Sequence, residues 1–123
     1  MTERSAAMLL PRLTINLVQG SVTCQFSPEA AHTLKAELAA LIASLKATSV
    51  PLTPGAKATP QKPMEYQHTG DVFLEIFCNP NIWPSPFAAK VLITLRDDRI
   101  RLTTEAELSR LVEDVNQYLE QVS

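Results

Sequence analysis

Alternation of apolar and polar residues along this chain predicts five β-strands, and a second, helical periodicity predicts two helices. Apolar residues recur at every second position in short segments that turn residues separate. These predicted strands cover residues 13–17, 22–26, 72–78, 90–96 and 99–102. Apolar residues three and four apart predict one helix from Pro28 to about residue 48, and another from Glu105 to about Gln121. The predicted order is β-β-α-β-β-β-α.

Capping residues mark where both helices should begin. Ser27 can accept a hydrogen bond from the first helical turn, and Pro28 suits the first helical position. Thr104 and Glu107 have the spacing of a capping box, which predicts that the second helix starts at Glu105.

Two turns should close hairpins between neighbouring strands. Gly20 accepts the positive φ of a tight turn, and two registers about it both pair apolar with apolar residues. A two-residue turn at Asp97 and Asp98 pairs Leu95 with Ile100, which keeps the apolar side chains on one face.

These elements predict an α+β fold, a two-layer sandwich with an antiparallel five-stranded sheet and both helices on one face. The helix-covered face should hold Leu13, Ile15, Leu17, Cys24, Phe26, Val72, Leu74, Ile76, Val91, Ile93, Leu95, Ile100 and Leu102. The opposite face should hold Val18, Phe73, Glu75, Phe77, Lys90, Leu92, Thr94, Arg96, Arg99 and Arg101.

The length predicts a single domain over residues 1–123. Residues 48–69 contain four prolines and no periodicity, which predicts a flexible connector within that domain. Met64 and Tyr66, near its end, are placed to dock on the body of the protein.

Composition argues against several classes of function. The net charge of −2 and a pI near 5.6 give no general attraction to phosphate backbones, so nucleic acid is an unfavoured partner. No apolar stretch approaches the roughly 20 residues of a membrane span, so we expect no membrane insertion. The short apolar run near the start is too brief for a signal peptide, and Cys24 and Cys78 fit buried free thiols, so we expect a cytoplasmic protein.

The sequence carries no motif that indicates a cofactor, a metal site or a catalytic residue. The two histidines, His32 and His68, have no Cys, His or carboxylate at ligand spacing. The three glycines are isolated, so they cannot build a phosphate-binding loop.

The predicted open sheet face is more apolar than a solvated face should be, because Phe73, Phe77 and Leu92 interrupt it. Such a patch usually marks an interaction site. Three interpretations stay open: the connector or a loop covers the rings, a partner or second copy binds them, or they form a ligand platform.

The loop between the third and fourth predicted strands contains three prolines together with Ile82, Trp83 and Phe87. Prolines reduce the entropy lost on ordering, so the loop has the composition of a pre-shaped contact surface. It equally fits a loop that folds back onto its own core.

Our leading hypothesis is a non-enzymatic protein–protein interaction module, an adaptor or assembly chaperone of a larger complex. It would bind another protein, or itself as a homodimer, through this loop and the open face, and Trp83→Ala should abolish binding at little cost in stability. The alternative is a small enzyme or ligand-binding domain with a pocket around Glu75, Lys90 and Arg101. A third candidate is binding of single-stranded nucleic acid by the arginines and rings of the same face.

Overall fold

The computed structural model describes residues 11–49 and 59–122, and in these ranges it contains six strands and two α-helices. The strands are β1 (Arg12–Asn16), β2 (Ser21–Gln25), β3 (Met64–Thr69), β4 (Phe73–Cys78), β5 (Lys90–Arg96) and β6 (Arg101–Glu107). The helices are α1 (Pro28–Ser49) and α2 (Leu108–Val122), and a 3-10 turn, Pro80–Ile82, follows β4. The predicted α+β class is confirmed.

The strands form two antiparallel sheets, so the predicted single five-stranded sheet is wrong. β1 pairs only with β2, whereas β3, β4, β5 and β6 form a four-stranded sheet in that order. The β1–β2 hairpin packs along α2, and its turn reaches the larger sheet where the N–H of Val18 donates to the carbonyl of Glu105 at 3.0 Å.

Strand β3 was missed because it lies in the predicted connector. Met64 and Tyr66 are each only 6% exposed, which confirms that they dock on the body. They do so as alternate residues of a strand whose Tyr66 pairs with Ile76 of β4. The connector over 48–69 is therefore shorter than predicted, and its residues 50–58 lie outside the described residues. The assignment of one domain stays a prediction.

Both hairpin registers differ from those predicted, although the buried parity of the strands survives. In the first hairpin Leu17 pairs with Gly20 (φ 88°), so the turn lies at residues 18–19, one or two residues earlier than the two predicted registers. In the β5–β6 hairpin Leu95 pairs with Leu102. The N–H of Asp97 donates to the carbonyl of Ile100 at 3.0 Å, so the two-residue turn lies one residue later than predicted, at Asp98 and Arg99. A change of register by an even number of residues keeps each side chain on the same face of the sheet.

The Asp97 carboxylate explains the position of the β5–β6 turn. Its Oδ1 accepts hydrogen bonds from the N–H groups of Arg99 and Ile100, at 2.8 and 2.9 Å. An aspartate that binds the backbone two residues ahead stabilises a turn locally. These two N–H groups also hold the pKa of Asp97 below its usual range.

Helix α2 starts at Leu108, three residues later than the capping box predicts. Residues 101–107 continue as β6 and pair with β5 as far as Lys90 opposite Glu107. Pairing with β5 gives hydrogen-bond partners to alternate residues along this whole segment, whereas a capping box satisfies two N–H groups. At the other helix the prediction is confirmed, because Ser27 Oγ accepts from the N–H of Ala30 at 3.1 Å.

The core lies between the four-stranded sheet, the hairpin and both helices. Most of the predicted inner face is buried, but Ile100 and Leu102 are exposed, at 67% and 41%. The largest side chains that are almost fully enclosed are those of Leu13, Ile15, Leu34, Leu45, Leu74, Ile76, Ile93, Leu108 and Leu111.

Candidate functional site

The outer face of the four-stranded sheet, here called the open face, is organised in three rows of residues that pair across the strands. The arginine row consists of Thr69, Phe73, Arg96 and Arg101. The central row consists of Gln67, Glu75, Thr94 and Thr103. The glutamate row consists of Glu65, Phe77, Leu92 and Glu105. Strands rise about 3.3 Å per residue, so the arginine row and the glutamate row, four residues apart along each strand, are separated by roughly 13 Å.

The structure brings the predicted open-face residues Phe73, Phe77 and Leu92 onto this one surface. Both rings are half-buried, and Leu92 is 41% exposed. Phe77 and Leu92 are direct cross-strand partners, which makes them neighbours on the surface. In the central row Thr94 is only 5% exposed, because the larger side chains of Glu75, Leu92 and Arg96 surround it on three sides. The apolar side chains of the open face thus lie on β4 and β5, and both outer strands present only polar ones.

Arg96 extends the apolar area of the arginine row. Its guanidinium carbon lies 4.3 Å from the centroid of the Phe73 ring, which is the geometry of a cation–π contact. The stack covers part of one ring but presents the flat guanidinium outward. Arg101, its partner on β6, is exposed beside it.

The loop after β4 divides into an inward and an outward part. Trp83 is half-buried and packs against the core, and it forms a hydrogen bond with Cys78. Ile82 and Phe87 point outward, with exposures of 67% and 91%. The two interpretations of this loop therefore apply to different residues. Trp83 packs on the core and anchors the loop, whereas Ile82 and Phe87 form its exposed surface.

The sequence Asn79-Pro80-Asn81 holds the start of this loop, a role that the sequence analysis missed. The Asn81 carboxamide forms two hydrogen bonds with the backbone of Gln61, at 2.8 and 2.7 Å. Asn79 Oδ1 accepts from both the N–H and the side-chain nitrogen of Asn81. In addition, Thr48 donates to the carbonyl of Pro80 at 3.2 Å. Two asparagines flanking a proline were the available signal, because asparagine side chains commonly pair with turn backbone.

The predicted pocket residues Glu75, Lys90 and Arg101 are not brought together. Lys90 begins β5, and Arg101 is paired with Arg96 at the other end of that strand, roughly 20 Å away at 3.3 Å per residue. Glu75 lies between them and accepts a hydrogen bond from Gln67 at 3.1 Å. This spacing does not provide an acid–base pair that could act on one small substrate.

Both cysteines are free and buried, and each has a raised thiol pKa. Burial raises the pKa of Cys78 to about 11, with a smaller opposing effect from the Trp83 hydrogen bond. Burial, assisted by the nearby charge of Asp71, raises the pKa of Cys24 to about 11. Thiols held protonated in this way are poor nucleophiles. In the described residues no three His, Cys, Asp or Glu side chains come together as metal ligands.

Neither helix in the described ranges is long and apolar enough to cross a membrane. Comparisons of this chain with protein-family models, curated proteins and solved structures found no match.

Proposed function

We propose that this protein is a non-enzymatic protein–protein interaction module that binds through the open face and the exposed part of the loop. The observation that carries the proposal is the cross-strand pair of half-buried Phe77 and exposed Leu92, with the Phe73–Arg96 stack on the same surface. A sheet face that serves only as a solvated exterior alternates polar residues with the core. Aromatic residues and arginine are enriched where proteins meet other proteins.

The loop supports this proposal because its backbone is held before any partner arrives. The Asn81 carboxamide fixes its start, and the N–H groups of Ala88 and Ala89 donate to carbonyls of Ser85 and Pro86 near its end. Ordering a loop on binding consumes free energy, so a loop that is already ordered presents Ile82 and Phe87 at lower cost.

The finer part of the proposal is an adaptor or an assembly chaperone in the cytoplasm. An open sheet face and an ordered loop are better suited to binding the surface of a folded protein than to binding a small molecule. A small molecule requires a concave site with converging polar groups. Two free, buried thiols suit a reducing compartment.

A matched pair of leucine variants tests the open face. Leu92 and Leu102 are both 41% exposed, but they lie on opposite faces of the sheet on neighbouring strands. Immobilised wild-type, Leu92→Ser and Leu102→Ser proteins are compared for the proteins they retain from a native lysate, after circular dichroism confirms equal folding. We expect retained proteins that are lost with Leu92→Ser and kept with Leu102→Ser. Equal retention by all three would refute the open face as the binding surface.

A further inference from the structure

We propose that the partner of the open face is a second copy of the same chain, packed face to face with the strand ends reversed. This inference rests on the proposed function and names its partner. Its basis is the separation of charge on the face. The two arginines lie in one row, and two glutamates, Glu65 and Glu105, lie in another row on the outer strands.

A symmetric dimer requires a surface that is complementary to itself, because both copies use the same patch. Two face-to-face arrangements have twofold symmetry and keep the strands aligned. In one, the axis runs along the strands, so the arginine rows meet each other and the glutamate rows meet each other. In the other, the axis crosses the strands through the central row, so each arginine row meets a glutamate row. Only the second arrangement brings opposite charges together.

The second arrangement also fits the side chains across the rows. Each strand then lies over its own counterpart, with Arg101 of one copy opposite Glu105 of the other. Phe73 lies opposite Phe77, and the aliphatic part of Arg96 lies opposite Leu92. Long charged side chains commonly bury their methylene groups on apolar surface in this way. The Asp97 carboxylate near the arginine row accepts hydrogen bonds within its own turn, and in the described residues no salt bridge joins it to Arg96 or Arg101.

The remaining charges of the face either offset each other or oppose formation of the dimer. Lys90 and Glu107 are cross-strand partners beyond the glutamate row, and their opposite charges offset each other. Glu75 of the central row lies near the twofold axis, where it meets the Glu75 of the other copy. Gln67 donates to this carboxylate, but like charges still face each other there.

The area of the open face limits how strongly two copies can associate. Four strands about 4.8 Å apart and about 23 Å long give a face of roughly 440 Å² in projection. A standard stable interface buries about 800 Å² on each partner, so this dimer belongs with weak and transient complexes. We expect a dissociation constant on the order of 10 µM, which corresponds to about −7 kcal/mol.

Charge reversal, measured by sedimentation equilibrium in low salt, tests the arrangement. We expect Arg101→Glu and Glu105→Arg each to weaken the dimer by about tenfold or more, because each places like charges opposite one another. Mixing the two variants should give a one-to-one heterodimer, and the double variant should dimerise again. Glu75→Gln should tighten the dimer. Lys35→Glu, an equal charge change on the exposed side of α1, is the control and should leave the dimer unchanged.

Two results would overturn the inference. One is a wild-type protein that stays monomeric at about 300 µM, well above the expected dissociation constant. The other is a dimer that none of the open-face reversals affects. Either result would leave the lysate comparison of the two leucine variants to decide the proposed function separately, since that experiment detects partners of any sequence.

Discussion

Trp83→Ala should destabilise the protein substantially, whereas Phe87→Ala in the same loop should not. A tryptophan side chain presents about 250 Å², and burial of about two-thirds of this at ~25 cal/mol per Å² corresponds to about 4 kcal/mol. Phe87 is 91% exposed, so its ring buries roughly 20 Å² and contributes about 0.5 kcal/mol. The difference follows from the packing of Trp83 on the core and its hydrogen bond with Cys78.

Urea unfolding followed by far-ultraviolet circular dichroism measures both changes. With a slope of about 1.5 kcal/mol per molar urea, the loss at Trp83 lowers the midpoint by about 3 M. The Phe87 variant should unfold within about 0.3 M of the wild type on the same slope. Binding provides the second comparison: Phe87→Ala should reduce partner retention while the fold stays intact.

The opposite ranking would refute this reasoning. A Trp83→Ala protein as stable as the wild type, with binding lost, would make the indole a contact residue. Unfolding of the Phe87 variant at much lower urea would show that the exposed ring has a structural contact.

Three further predictions concern stability. Asn81→Ala should cost about 1–2 kcal/mol, since it removes both hydrogen bonds to Gln61, and exchange of the Gln61 amide hydrogen should accelerate. Asp114→Ala should lower the free energy of unfolding by about 3 kcal/mol, because the buried carboxylate accepts hydrogen bonds from the backbone and side chain of Asn16. Glu113→Ala, at the exposed neighbouring position, is the control and should change the urea midpoint little. Finally, because burial raises the pKa of both cysteines to about 11, the folded state retains thiol protons that the unfolded chain releases. Stability measured by urea unfolding should therefore fall as the pH rises from about 9 to about 11, and replacing both cysteines with alanine should flatten that part of the profile.

Local periodicity was sufficient to predict most of the elements and their inward faces. The alternation in β4 and β5 placed Leu74 and Ile93 in the core and Phe77 and Leu92 on the open face, where the structure has them. Face assignment depends only on odd and even positions. It therefore survived register errors that moved a strand by an even number of residues.

Register and sheet membership depend on contacts that periodicity does not contain. The β5–β6 turn lies one residue later than predicted because the Asp97 carboxylate binds two N–H groups, and no count of apolar positions reveals this. Strand β3 has the alternation Met64, Tyr66 and His68, but four prolines in the preceding segment favoured a connector. Its pairing with β4 supplies hydrogen bonds that outweigh its weak strand composition.

The sequence predicted which residues form the candidate site but not the role of each one. The placement of two rings and a leucine on the open face follows from parity, so sequence alone was sufficient for Phe73, Phe77 and Leu92. The opposite orientations of Trp83 and Phe87 are set by packing around Cys78, and loop composition cannot distinguish them. The charge separation between rows required the true register, because it depends on which residues of β3 and β6 lie opposite β4 and β5.

The turn at Pro80 and Asn81 has a consequence for how the chain tolerates changes in length. It binds Thr48, at the end of α1, and Gln61, just before β3, so both flanks of the intervening stretch are fixed to the same place. Lengthening the stretch between two fixed points by ten residues adds only about 0.5 kcal/mol of closure entropy. An epitope tag or fluorescent peptide inserted there should leave the fold in place, and homologous chains are expected to vary most in length at this position.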